Sequence, residues 1–171
     1  MRDRRFAPMD AEQASARLEW ELMILTRQRE QAMLQVRPGD ERLDRSAYVL
    51  LSRLEVQGPM SIADFVDAFG LAASTFNRQT AALLRDGLVE RTLDPNGSVA
   101  RKFRITAEGS RRLTSDRRQV VNGLAMVLTD WPPERLERFI ADFQQFNEDI
   151  ERLTGRPWPR PAAATTPPTG G

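Results

Sequence analysis

The most restrictive feature of this 171-residue chain is the order of events between Ser61 and Ile105. Two short runs with helical periodicity flank Gly70, and two alternating runs flank Asp94-Pro95-Asn96-Gly97. The first helical run opens on a capping box, in which Ser61 and Asp64 satisfy each other's backbone N–H groups. Ile62, Phe65, Val66 and Phe69 then recur at i, i+3, i+4 and i+7, which predicts one buried stripe. Gly70 supplies the turn, and a second helix follows from about Ala73 to Asp86. Its inner face is expected to hold Phe76, Thr80 and Leu83, with Leu84 and Leu71 alongside. LVERTL (88–93) and RKFRI (101–105) alternate as strands do. The four residues 94–97 are the types a type I turn accepts at its four positions. Two short helices about a glycine turn, followed directly by a hairpin, make a winged helix-turn-helix.

Long helices flank this lobe. From about Asp10 to Val36, Leu18, Leu22, Leu25, Ala32, Met33 and Val36 recur at three- and four-residue intervals. Arg37-Pro38-Gly39-Asp40 ends the run, and a helix over Asp44–Gln57 carries Tyr48, Leu51 and Leu54 on one face. Another helix is expected from Thr106 to about Thr129. Asp130-Trp131-Pro132-Pro133 interrupts it, and proline suits the first turn of the next helix. There Leu136, Phe139, Ile140, Phe143, Ile150 and Leu153 form a 3/4 stripe. The expected fold is therefore mainly α with a small β-hairpin wing. Its organisation reads as a flexible N-terminus (1–11), a winged-helix domain (12–154) with a lobe at 44–105 between helices at 12–36 and 107–153, and a tail. The tail, 155–171, holds five prolines in seventeen residues without a period, and is expected to be disordered.

The composition removes many functions. With no cysteine and no histidine, disulfides, thiol redox sensing and Cys- or His-built metal sites are excluded. The triads that need histidine go with them. Paired carboxylates at catalytic spacing and a glycine-rich phosphate loop are both missing from the sequence, so an enzyme is the least supported class, and no cofactor or metal is expected. No apolar run approaches the roughly 18 residues of a membrane span. The basic N-terminus lacks the apolar stretch of a signal peptide, and the expected address is the cytoplasm.

The net charge of +1 hides a segregation. Residues 70–118 hold ten Arg/Lys against five Asp/Glu, whereas residues 119–154 hold three against seven. The basic excess coincides with the helix after Gly70 and its hairpin. A helix of this kind enters a DNA major groove with its N-terminal residues against base edges. Ser74, Thr75, Asn77, Arg78 and Gln79 supply short polar groups and one long cation at that end. On a lone helix the same residues would be a solvated face with Ser74 and Thr75 as local caps; the attached cationic hairpin favours DNA. On the return strand Lys102 and Arg104 alternate with Phe103 and Ile105, so the cations point away from the core. With Arg101 and with Arg91 on the outgoing strand, they are candidates for phosphate or minor-groove contact; solubilising charge on an edge strand is the competing explanation.

In sequence the order SIADFVDAFGLAASTFNRQTAALLRDGLVERTLDPNG, then RITAEG, resembles the MarR family of bacterial transcription regulators, over about residues 12–153. That resemblance implies a homodimer with interleaved first and last helices, here through Leu18, Leu22, Leu25, Phe139, Phe143 and Ile150. It implies two winged helices on a pseudo-palindromic double-stranded DNA operator, usually in repression. It also implies release by a small aromatic or drug-like effector near the dimer helices, for which Trp20, Met23, Tyr48 and Leu51 are the candidate lining. For those four, ordinary core or interface packing is the alternative. Two positions depart from the family pattern. Gly97, Ser98 and Val99 stand where the wing tip usually carries an acidic residue and then a cation, which would leave Arg101 to substitute. Ala72 stands where Ser or Asp usually caps the recognition helix, a local loss of roughly 1 kcal/mol. The missing wing cation motivates an alternative function: a protein-interaction dimer that kept the fold and lost specific DNA binding.

Overall fold

A computed structural model describes residues 10–34, 42–93 and 101–161. The chain divides into two compact units between Arg42 and Leu43. The first contains α1 (Ala11–Leu34), whose Leu18, Trp20, Met23 and Leu25 are exposed while Leu22 is half-buried. The expected end of this helix near Val36 lies outside the described residues.

The second unit runs α2 (Arg45–Gln57), α3 (Ile62–Phe69), α4 (Ala73–Arg85), β1 (Val89–Thr92), β2 (Lys102–Ile105), α5 (Ala107–Val127) and α6 (Pro133–Thr154). Each boundary has a local cause. The Asp44 carboxylate accepts from the Ala47 N–H at 2.8 Å and starts α2. In α3 both halves of the expected box form: Asp64 N donates to Ser61 Oγ at 3.2 Å, and Ser61 N donates to Asp64 Oδ2 at 2.7 Å. Gly70 closes α3 in the left-handed region at φ 68°, a conformation that glycine adopts without a Cβ penalty. At the head of α4, Ala72 provides no side-chain cap. Thr106 caps α5 through Gly109 N at 3.0 Å, and its hydroxyl also donates to Gly87 O at 2.7 Å. That second bond ties the start of α5 to the turn that leaves α4.

The core of this unit joins α2, α3, α4, the hairpin and α5 through Leu50, Leu51, Phe65, Phe76, Phe103 and Leu113, among others. Phe65 stacks on Phe76 with centroids 5.5 Å apart, and Phe69 tilts onto Phe76 at 5.4 Å. The face predicted for α4 is the buried one at Phe76, Thr80 and Leu83; Leu71, expected beside them, is instead exposed. Strand β1 pairs antiparallel with β2, placing Glu90 opposite Arg104 and Arg91 opposite Phe103. A third segment joins this sheet: Met60 and Phe103 exchange backbone hydrogen bonds of 2.8 and 3.0 Å. The expected turn at Asp94-Pro95-Asn96-Gly97 lies outside the described residues.

Two apolar faces of this unit remain uncovered. No residue of α6 is buried, and Phe139, Ile140, Phe143 and Ile150 stand exposed along one side. On α5, Val120, Val121 and Leu124 are exposed as well. The expectation of a wholly disordered tail does not hold for residues 155–161, which lie against α2, α3 and α6. Proline density marks a segment poor in regular structure, but Trp158 gives it an apolar anchor. The remainder of the tail lies outside the described residues.

Candidate nucleic-acid interface

Helix α4 is held from behind and free in front. Phe76 and Thr80 face the core, and the Thr80 hydroxyl bonds back to Phe76 O at 2.7 Å, so the polar residue on the inner face is satisfied within the helix. Ser74, Asn77 and Arg78 are exposed, while Thr75 and Gln79 are half-buried at the flanks. All five sequence candidates on this helix therefore lie on its first turns, three of them exposed.

Ion pairing sorts the basic excess of residues 70–118. Arg104 Nε bonds Glu90 Oε1 at 2.6 Å across the hairpin. Arg111 and Arg112 share the Glu108 carboxylate, each at 2.7 Å, and their hydrogen bonds hold that carboxyl at about 2. Arg117 bonds Glu55 at 2.8 Å, which raises its pKa, and Arg85 lies 3.6 Å from Asp86. Among the described residues, Arg78, Arg91, Arg101 and Arg118 make no ion pair. Arg78 stands at the front of α4, and Arg91 and Arg101 stand on the hairpin. Arg104, expected as an outward cation like Arg101, does point outward but is engaged by Glu90. Strand register decides this, and alternation alone could not. Lys102 is half-buried.

The other candidates separate. Tyr48 is half-buried and interacts with Arg117, whereas Leu51 is 0 % exposed inside the core. Leu51 therefore offers no surface to an effector, because the α2 face that carries it packs inward. Trp20 and Met23 belong to the first unit and Tyr48 and Leu51 to the second. Of the dimer candidates, Leu18, Leu25, Phe139, Phe143 and Ile150 are exposed and Leu22 is half-buried. Among the described residues there is no cluster of acidic side chains that could hold a metal ion.

A short antiparallel hairpin with unpaired guanidinium groups, beside a helix whose polar front is presented to solvent, defines a DNA-binding winged helix. The model of the MarR family matches residues 43–96. The chain is 32 % identical over 106 residues to YxaD, an uncharacterised HTH-type transcriptional regulator of Bacillus subtilis strain 168, covering 62 % of this chain and 74 % of that protein. Among solved structures, a MarR family protein from Bacillus stearothermophilus superposes with a TM-score of 0.69 at 22 % identity, over 83 % of this chain and 99 % of that one. Bordetella bronchiseptica BpsR, whose DNA binding is regulated by 6-hydroxynicotinic acid, superposes with a TM-score of 0.55 at 19 % identity, over 76 % and 98 %. The chain belongs to the MarR family. It is a DNA-binding transcriptional regulator and not an enzyme.

Proposed function

We propose that the protein is a homodimeric repressor that binds a pseudo-palindromic operator in the cytoplasm and is released from it by a small organic ligand. The observation that carries this reading is the pairing of one outward-facing reading helix per chain with uncovered apolar faces on α1 and α6. Exposed apolar patches of that extent mark association surfaces. A two-fold dimer presents two copies of α4, which fits half-sites about one helical turn (~10 bp) apart. Where such a site overlaps a promoter, occupying it excludes polymerase sterically and needs no activating surface, which favours repression. The regulation of BpsR by an aromatic acid supports an effector of similar chemistry here.

The test is to retain genomic fragments on the purified protein, sequence them, and measure its mass by sedimentation in parallel. A dimer that enriches one inverted-repeat sequence supports the proposal. A monomer at micromolar concentration that enriches no sequence sinks it. A dimer that enriches none would favour the protein-interaction alternative.

A further inference from the structure

The end of α6 is strapped to the helix-turn-helix. Gly155 terminates α6 in the left-handed region at φ 66°, and the chain doubles back. Glu151 holds the return: it accepts from the Trp158 N–H at 3.1 Å through Oε2, and from Arg160 Nη2 at 2.8 Å through Oε1. The Trp158 ring meets Phe69 edge-on, with centroids 5.3 Å apart. Phe69 is the last residue of α3, and its ring packs on Phe76 of α4. A continuous aromatic contact therefore runs from the strap to the buried face of the reading helix.

Arg53 of α2 closes the strap from the other side. It is only 7 % exposed, and burial lowers its pKa. A buried guanidinium must keep hydrogen-bond partners. Its own helix supplies Gln57 Oε1 at 2.6 Å, and the strap supplies Pro157 O at 3.1 Å and the Trp158 ring face at 4.8 Å. The Arg156 guanidinium lies over Gly70, 2.6 Å from where a Cβ would stand. Three prolines, at 157, 159 and 161, limit the freedom lost when the segment docks.

We propose that residues 155–161 are a positioning strap that fixes the helix-turn-helix relative to α6, with Trp158 as its anchor, and thereby holds the reading helix in the orientation that operator binding requires. The inference rests on the proposed reading in which α6 belongs to the dimer body and α4 to the DNA. In that arrangement α5 is one mechanical link between body and head, and the strap is a second. A head free to rotate presents the binding-competent orientation only part of the time, and affinity falls by that fraction.

The native chain has no cysteine, so Ala81→Cys on α4 and Ala141→Cys on α6, both exposed, take spin labels uniquely. Labelled chains diluted into excess unlabelled protein report the intrachain distance by pulsed resonance, without DNA. The parent and Trp158→Phe should give a narrow distribution, and Trp158→Ala a broad one. On duplexes carrying the enriched sequence, Trp158→Ala should bind about tenfold more weakly, with an unchanged salt slope and unchanged dimer mass, as a competent fraction near one tenth requires. A distribution equally wide in parent and Trp158→Ala overturns the strap. A broadened distribution with unchanged affinity overturns the claim that operator binding needs the fixed head. A flattened salt slope would overturn positioning in favour of direct phosphate contact. If the parent itself enriches no sequence, the DNA reading fails, while the distance distributions still decide whether the strap fixes the head.

Discussion

Replacing Glu90 by Gln should strengthen DNA binding, and the size of the effect follows from the hairpin. Glu90 Oε1 engages Arg104 Nε at 2.6 Å, with the two side chains 48 % and 57 % exposed. An ion pair this solvated contributes about 0.2–1 kcal/mol to stability, so the variant should fold and melt almost as the parent does. On DNA the consequence is larger. Arg104 would no longer be neutralised, and a fixed negative charge would leave the hairpin surface proposed to approach phosphates. One additional neutralised phosphate steepens the dependence of log K on log salt by about 0.9. Between 50 and 200 mM salt, the variant's advantage over the parent should therefore shrink by about 3.5-fold, since a fourfold change in salt is raised to that power. Fluorescence anisotropy on the enriched duplex across that range measures both slopes. Equal slopes and equal affinities would refute the reasoning, because they would mean that this face of the hairpin never approaches phosphate. Arg104→Gln in the same assay should leave the parent slope almost unchanged, as expected of a cation already paired.

Three further outcomes are expected. Gly109→Ala drives a methyl into the Leu88 carbonyl and within 2.9 Å of the Ile105 side chain, so it should lower stability by about 1–3 kcal/mol, read by urea denaturation. Arg78→Ala should relax preference at one base step at a cost of about 1–3 kcal/mol, whereas uniform weakening on all sequences would place Arg78 on phosphate. Bonding from Arg160 first, and then from the Trp158 N–H, holds the Glu151 carboxyl below its ordinary value of 4.5. A depressed carboxyl adds stability that is complete above the unfolded value and lost as pH falls through the folded one. With Trp20 and Trp131 changed to Phe, the change in Trp158 emission on acidification should therefore be centred below pH 4.5; a transition centred at or above 4.5 would contradict the strap's hold on Glu151.

Much of this protein was legible in order along the chain. The capping box at Ser61 and Asp64, the stripe through Phe65 and Phe69, the turn at Gly70 and the outward front of α4 all depend on neighbours within about one helical turn. Helix period and cap chemistry act at that range, so residue types suffice to read them. The uncovered stripe of α6 was legible for the same reason, since a 3/4 apolar pattern states that a face needs covering. What covers such a face is a separate matter. Which cations remain available was decided only in three dimensions. Arg104 and Arg101 look alike in sequence, and strand register sets Glu90 opposite the former. Leu51 and Tyr48 share a helical stripe, yet packing buries the first completely and leaves the second half-exposed. The strap is the clearest case. Trp158 within a proline-rich run carries no periodicity, and its partners Arg53 and Phe69 stand roughly a hundred residues earlier. A side chain's charge and apolar area belong to the residue itself, but the partner that satisfies them is chosen by the packing of distant segments.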